Sequence, residues 1–338
     1  MLLFAILGVT SCRSATPEPP GPSSATTDEG GAALDALSTG VNPPEVEDVG
    51  VAYAAADANR PPPARWATWP MPNAPSTGMP NPQSYDKSAA GGVLDRVTGL
   101  MWQRRVDPGN VTFDEANAKC ERLDVRGLRD WRLPSRIELV SIVDLAETQP
   151  SIDRDAFPRT PSDWFWTSSV SADSPTAAWY VYFYFGYPKA DERRSKFSVR
   201  CVRTAKPPAF TGDPDAHYEV GSAAVRDLAT GLTWQRAPAP RTFDFEGALA
   251  YCGHLSLDGH SDWRLPSMPE LLTLVDERAS KPAIDKNAFP GTPADAFWTS
   301  SYFGGAGVKS TEAWHVRFDH GSAIYGFLKT SYNVRCVR

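Results

Sequence analysis

Histidine is scarce in this chain of 338 residues, and none of the five present (His217, His254, His260, His315 and His320) recurs at the spacing that repeats much else in the sequence. There is no C-x-x-C pair, no H-E-x-x-H run, no phosphate-binding loop, no EF-hand loop and no Ser-His-Asp set. A zinc site, a metalloprotease centre and a nucleotide cradle are therefore disfavoured; no cofactor is expected, and calcium alone is left undecided. A basic excess is missing too. Lys and Arg number 34 against 40 Asp and Glu, giving a net charge of -6 and a pI near 5.5, which argues against non-specific binding to nucleic acid. The apolar run at 1–11, MLLFAILGVTS, is too short to cross a bilayer as a finished helix.

What the chain has is one module written twice. DWRLPS stands at 130–135 and again at 262–267, an offset of 262 − 130 = 132 that also links Trp102 to Trp234, Phe113 to Phe245, Cys120 to Cys252 and FWTSS at 165–169 to FWTSS at 297–301. The offset then becomes 314 − 179 = 135 and holds for Trp179/Trp314, Gly186/Gly321 and the closing VRCVR. A loop of unequal length is expected between Ser169 and Trp179. Eight of the eleven tryptophans fall into four matched pairs, which reads as core and corner positions rather than sugar platforms. The length suits two domains, each with its own core. Ser135-x-x-Glu138 and Ser267-x-x-Glu270 precede apolar helical runs as capping boxes, and Arg132 and Arg264 are expected to pair with a nearby carboxylate.

Four of the five cysteines recur at the same two places in each copy. Four cysteines allow three connectivities. Repetition favours Cys120 with Cys201 and Cys252 with Cys336, free thiols or zinc being the rival readings. Each bridge would close a loop of about 80 residues and contribute at most roughly 4–5 kcal/mol.

Residues 1–11 read as a signal peptide, although no basic residue precedes the apolar run, and VTSC at 9–12 resembles the bacterial lipobox, in which Cys12 becomes the lipidated first residue. No aspartate follows at Arg13 or Ser14, which by resemblance to lipoprotein sorting in Gram-negative bacteria points to the outer membrane. Residues 12–82, rich in Pro, Ala and Ser, read as the lipidated cysteine and a disordered tether, with Trp66 and Trp69 beginning to pack on the first module. The modules are placed at 83–204 and 205–338. Each is expected to hold a strand (GLMWQ, GLTWQ), a helix carrying the first cysteine, the capped second helix, the FWTSS strand and a terminal hairpin. In the first copy that hairpin runs through WYVYF at 179–183, turns near Gly186 and returns as FSVRC at 197–201.

Two helices, short strands and a helix cysteine bridged to the last strand resemble the C-type-lectin-like fold, an α+β architecture. The closer resemblance is to the Lcl C-terminal domain family, catalogued as a domain of unknown function in bacterial surface proteins. It is carried by DRVTGLMWQ at 95–103, the helix ending in Cys120, DWRLPS with Glu138, FWTSS, Ala178-Trp179 and VRCVR, each with its counterpart in the second half. The resemblance implies surface display and, in the collagen-like adhesin that names the family, attachment to sulfated glycans. RLPS with Glu138 also resembles the RLP-T-x-x-E-W segment of the formylglycine-generating enzymes. That chemistry needs a reactive cysteine pair near the end, and here each module has only the two cysteines its fold uses, so no enzyme is expected.

The expected function is a lipid-anchored, non-catalytic surface protein binding an extracellular glycan or envelope protein; a structural part of an envelope assembly is the alternative. Ligand contacts are expected on the hairpins, at Tyr182, Tyr184, Tyr187, Lys189, Arg193 and Arg194 in the first module and Arg317 and Tyr325 in the second. Module arrangement and oligomeric state are not read from the sequence.

Overall fold

A computed structural model describes residues 66–89, 91–205, 216–304 and 310–338. The signal peptide, Cys12 and the tether up to residue 65 lie outside the described residues. The first module comprises β1 (Tyr85–Asp86), β2 (Val93–Asp95), β3 (Leu100–Trp102), α1 (Phe113–Glu121), α2 (Arg136–Val140), β4 (Trp164–Val170), β5 (Ala177–Tyr182), β6 (Tyr187–Glu192) and β7 (Val202–Thr204). The second repeats it as β8 (Tyr218–Val220), β9 (Ala224–Asp227), β10 (Thr233–Gln235), α3 (Phe245–Gly253), α4 (Met268–Leu272), β11 (Ala296–Tyr302), β12 (Glu312–Arg317) and β13 (Ala323–Phe327). Each module is α+β with two small antiparallel sheets, ordered β1-β2-β3-β7 and β4-β5-β6 in the first, β8-β9-β10 and β11-β12-β13 in the second.

The two repeated motifs turn out to be one piece of structure. Arg132 and Val202 exchange backbone hydrogen bonds, as do Arg264 and Val337, and Asp130 pairs with Arg203 while Asp262 pairs with Arg338. DWRLPS therefore runs antiparallel to the end of VRCVR. Ser135 and Ser267 cap α2 and α4 in complete capping boxes with Glu138 and Glu270. Those carboxylates, 1% and 0% exposed, also receive both guanidinium arms of Arg132 and Arg264, so each buried anion has its charge and its lone pairs satisfied. The disulfides are Cys120–Cys201 and Cys252–Cys336, tying the first helix of each module to this closing strand. Arg200 and Arg335, the first arginines of VRCVR, are fully buried over Phe157 and Phe289 and donate to backbone carbonyls and to Thr160 and Thr292.

Each module has a private core around its disulfide, formed in the first by Phe113, Cys120, Trp131, Trp166 and Cys201 and in the second by Phe245, Cys252, Trp263, Trp298 and Cys336. The largest apolar cluster belongs to neither module alone. It joins Ile137, Leu139, Val143 and Phe165 to Leu271, Leu274, Val275, Phe297 and Trp314. Across this seam Tyr187 packs on Trp314 at 5.6 Å and Phe185 on Phe303 at 5.1 Å. Gly186 and Gly321 take φ of 84° and 89° at the hairpin corners, where a Cβ would lie 2.6 Å and 2.4 Å from Val143 and Val275. No side chain fits at either corner.

Tyr187 and Phe185 have Ser322 and His320 as their repeat equivalents, and the seam departs from pseudo-symmetry again at a buried ion pair. Arg136, 1% exposed, donates to Glu277 at 2.8 Å, to the Gly321 carbonyl at 2.8 Å and to the Val275 carbonyl at 3.4 Å, with its guanidinium over Trp179. The repeat equivalents of Arg136 and Glu277 are Met268 and Leu145, both in the shared apolar cluster.

Two expectations are corrected. The return strand of the first hairpin is Tyr187–Glu192, paired with β5, and FSVRC at 197–201 leaves the hairpin to bridge Val111 and Phe165 before β7 joins β3. The return strand is a polar edge strand with a proline, so it carries little apolar alternation. The tether also ends earlier than residue 82. Trp66, Trp69, Met71 and Asn73 are buried, and Trp66 packs on His217 and Tyr218 of the second module, not on the first. Asn73 donates to Glu270 at 3.4 Å and Gln83 to the Ser141 and Val143 carbonyls, so residues 66–83 form a strap clamped to both modules.

Two outcomes follow. Arg136→Met alone strands the buried Glu277 carboxylate and should cost about 3–5 kcal/mol, whereas Arg136→Met with Glu277→Leu restores most of it; denaturant titration of the four-member cycle reads both. A chain starting at residue 83 loses the buried Trp66, Ala67, Trp69, Met71 and Ala74 of the strap and should be less stable than one starting at 66 by several kcal/mol, at about 1.5–3 kcal/mol per large apolar side chain, as read by denaturant titration.

Candidate functional site

The duplication supplies an internal control: a position that differs between copies while the backbone does not is one the fold leaves free. The ribbon β4-β5-β6 carries the clearest such row. Residues opposite one another in antiparallel pairs share a face, and Trp164 lies opposite Tyr182, which lies opposite Tyr187. Trp164 stacks on Tyr182 with centroids 5.1 Å apart and planes at 19°, and Tyr182 stacks on Tyr184 at 5.6 Å and 19°. Trp164 is 39% exposed. Beside it, Asp163 accepts from Asn110 at 2.9 Å, and the Ser198 hydroxyl donates to Asn110 and Asp163. Burial, with Tyr184 and Asp163 nearby, raises the Tyr182 phenol, so that ring is neutral at ordinary pH.

In the second module the same row reads Ala296, Arg317 and Ser322, with Asp319 in place of Tyr184. Arg317 pairs with Asp319 at 2.6 Å, and His320 lies 2.8 Å from the same carboxylate. One row in, His315 replaces Tyr180. It is buried between Trp298 and Tyr332, and burial, followed by the charge of Arg317, lowers its pKa to about 4.

The expected ligand residues do not form one cluster. Tyr182 and Tyr184 belong to the stack. Tyr187 and Tyr325 are drawn into the seam, on Trp314 and Phe303 respectively. Lys189 and Arg194 are exposed, but Arg193 caps the far end of the strand, pairing with Asp114 at 2.6 Å over the Phe113 ring. That end lies six residues from Tyr187, roughly 20 Å along an extended strand, and exposes Asp191 and Glu192 beside its cations. Arg317 is held by Asp319. Sequence reasoning missed Trp164. The available signal was a tryptophan lacking a repeat partner, facing alanine in the other copy. Among the described residues no group of His, Cys, Asp or Glu is placed to hold a metal ion.

A duplicated α+β module, each copy stapled from first helix to closing strand and built on DWRLPS against VRCVR, defines a disulfide-bonded tandem-repeat protein. The model of the Lcl C-terminal domain matches residues 91–203 and 223–338, and the chain belongs to that family as two tandem copies. No curated protein matches the chain.

His315 gives this site a pH signature. Its folded pKa lies below the ordinary 6.5, so the unfolded chain takes up the proton first as pH falls. Its contribution is intact above about pH 6.5 and is lost progressively toward about pH 4, up to about 3 kcal/mol. His315→Tyr, the first module's own residue, should flatten the decline of melting temperature over that range; parallel profiles for the two proteins would assign the loss to carboxylates instead.

Proposed function

We propose that the chain is a non-catalytic binding protein displayed on a bacterial surface through a lipidated Cys12, with C-type-lectin-like modules, and that the first module holds a glycan on the Trp164, Tyr182 and Tyr184 stack. One observation carries this reading. The second module builds the same ribbon with Ala296, Arg317 and Asp319 at these positions, so the three aromatic rings of the first are not needed to make the fold. Partly exposed, near-parallel stacked rings offer an aromatic face to the apolar faces of sugars, and the adjacent Asp163 and Asn110 supply polar groups for hydroxyls. Arg193 and Arg194 of the same ribbon sit at its opposite end beside Asp191 and Glu192, while Lys189 lies two residues from Tyr187. The reading therefore places a neutral stretch of glycan at the stack, with Lys189 the nearest cation and any contact to Arg193 or Arg194 away from it.

A specific feature also favours the structural alternative. Ile324 and Phe327 are 47% and 65% exposed along β13, the terminal strand of its sheet. An apolar edge of this kind fits a protein partner in an envelope assembly.

The test is a glycan array probed with the full chain, with and without calcium, beside Trp164→Ala with Tyr184→Asp. Both substitutions are the second module's own residues, so folding is retained. The expected result is binding to at least one glycan, weakened tenfold or more in the variant. Undiminished binding by the variant moves the site off the stack, and no binding to any glycan shifts the weight to the β13 edge.

A further inference from the structure

The break in pseudo-symmetry at the seam is accompanied by a space at the corner without the ion pair. Where Arg136 and Glu277 meet, both side chains are almost fully buried and fill the corner. At the equivalent corner the chain has Met268 and Leu145. Here Val143 and Leu145 of the first module, Ser267, Pro269 and Ser301 of the second and the strap at 73–79 enclose a pocket of about 320 Å³. That volume is at the small end of ligand sites, the size of one sugar residue.

Its chemistry is restrictive. None of the residues lining it carries a formal charge, so an ionic ligand would enter without a counter-charge. Two walls are aliphatic. Asn73, Ser76, Thr77, Ser300 and Tyr302 add polar groups around the rim, and Ser267 and Ser301 face the aliphatic wall from the second module. Ser267 is 4% exposed, and its hydroxyl accepts from the Glu270 N–H, while the Ser301 hydroxyl accepts from the Met268 N–H at 3.0 Å. Each hydroxyl keeps its own proton to donate, and neither has an acceptor among the described residues. Hydroxyl donors beside an aliphatic wall suit a neutral group in which an oxygen acceptor adjoins a methyl.

We propose that this pocket binds the acetamido group of a small neutral molecule of the N-acetylhexosamine class, the amide oxygen toward Ser267 and Ser301 and the methyl against Val143 and Leu145. The choice of a sugar rests on the glycan reading above; the selection for a neutral acetamide rests on the pocket alone. The strap forms the roof, so a ligand here would bridge both modules and the strap.

The full chain is titrated with N-acetylglucosamine and, separately, glucose, by calorimetry and by saturation-transfer NMR. N-acetylglucosamine should bind at least tenfold more tightly than glucose, with the strongest saturation at its acetyl methyl. Leu145→Trp, which fills the space, should weaken it tenfold or more, and the milder Ser301→Ala severalfold, both with melting curves confirming the fold. Trp164→Ala with Tyr184→Asp, which removes the stack, should leave the saturation of the acetyl methyl in place. Equal affinity for glucose, undiminished binding by folded Leu145→Trp, or no binding at several millimolar overturns the pocket. Binding lost on the stack substitutions and kept in Leu145→Trp likewise overturns it while leaving the stack standing.

Discussion

A single buried guanidinium decides how two copies of one module meet. Arg136 gives up its hydration to enter the seam and recovers it through one carboxylate, two backbone carbonyls and the face of Trp179. A pair of first modules meeting through the same surface would set Arg136 against Leu145, and a pair of second modules would set Glu277 against Met268. Each would bury a charge with nothing opposite it. Only the mixed pairing gives one corner an ion pair and the other an apolar contact, so the charge acts on the choice of partner more than on the strength of the contact.

The rest of the architecture is consistent with that dependence. The private cores are small and are organised about Cys120–Cys201 and Cys252–Cys336, while the longest run of apolar packing crosses between modules. A covalent link from helix to closing strand limits the unfolded ensemble of each half, and the shared core stabilises the two halves together. Trp69 and Met71 of the strap enter that same core. The two halves are therefore one folding unit in packing, although they are two units in sequence.

Repetition made much of this legible. The helix caps followed from Ser-x-x-Glu placed before apolar runs, and the cysteine pairing followed from the need to place the same bridge twice. What stayed hidden has physical causes. Tyr187–Glu192 is a polar edge strand, so its pairing leaves no apolar period to read. Residues 66–82 are rich in proline, yet Trp66, Trp69 and Met71 find burial on a surface that exists only once both modules have met. Arg136 has no repeat partner, and its meaning lies in Glu277, 141 positions away. Within the candidate site, Tyr182 and Tyr184 were expected from their place on the ribbon and lie together in the stack, while Tyr187 and Tyr325 pack toward the seam, which cannot be drawn from one module's pattern. Of the three tryptophans without a repeat partner, Trp66 and Trp69 are buried in the strap and Trp164 is exposed on the ribbon, a distinction that repetition alone does not make.

The strap has a mechanical meaning. Tension applied at residue 66 is received first by aromatic packing on the second module, then at Asn73 by Glu270, and only at Gln83 by the first. A pull from the amino-terminal side would peel these anchors one at a time before it could pry the halves apart. The same pull would lift the roof from the corner at Leu145, so whatever occupies that corner would act as a pin against unzipping.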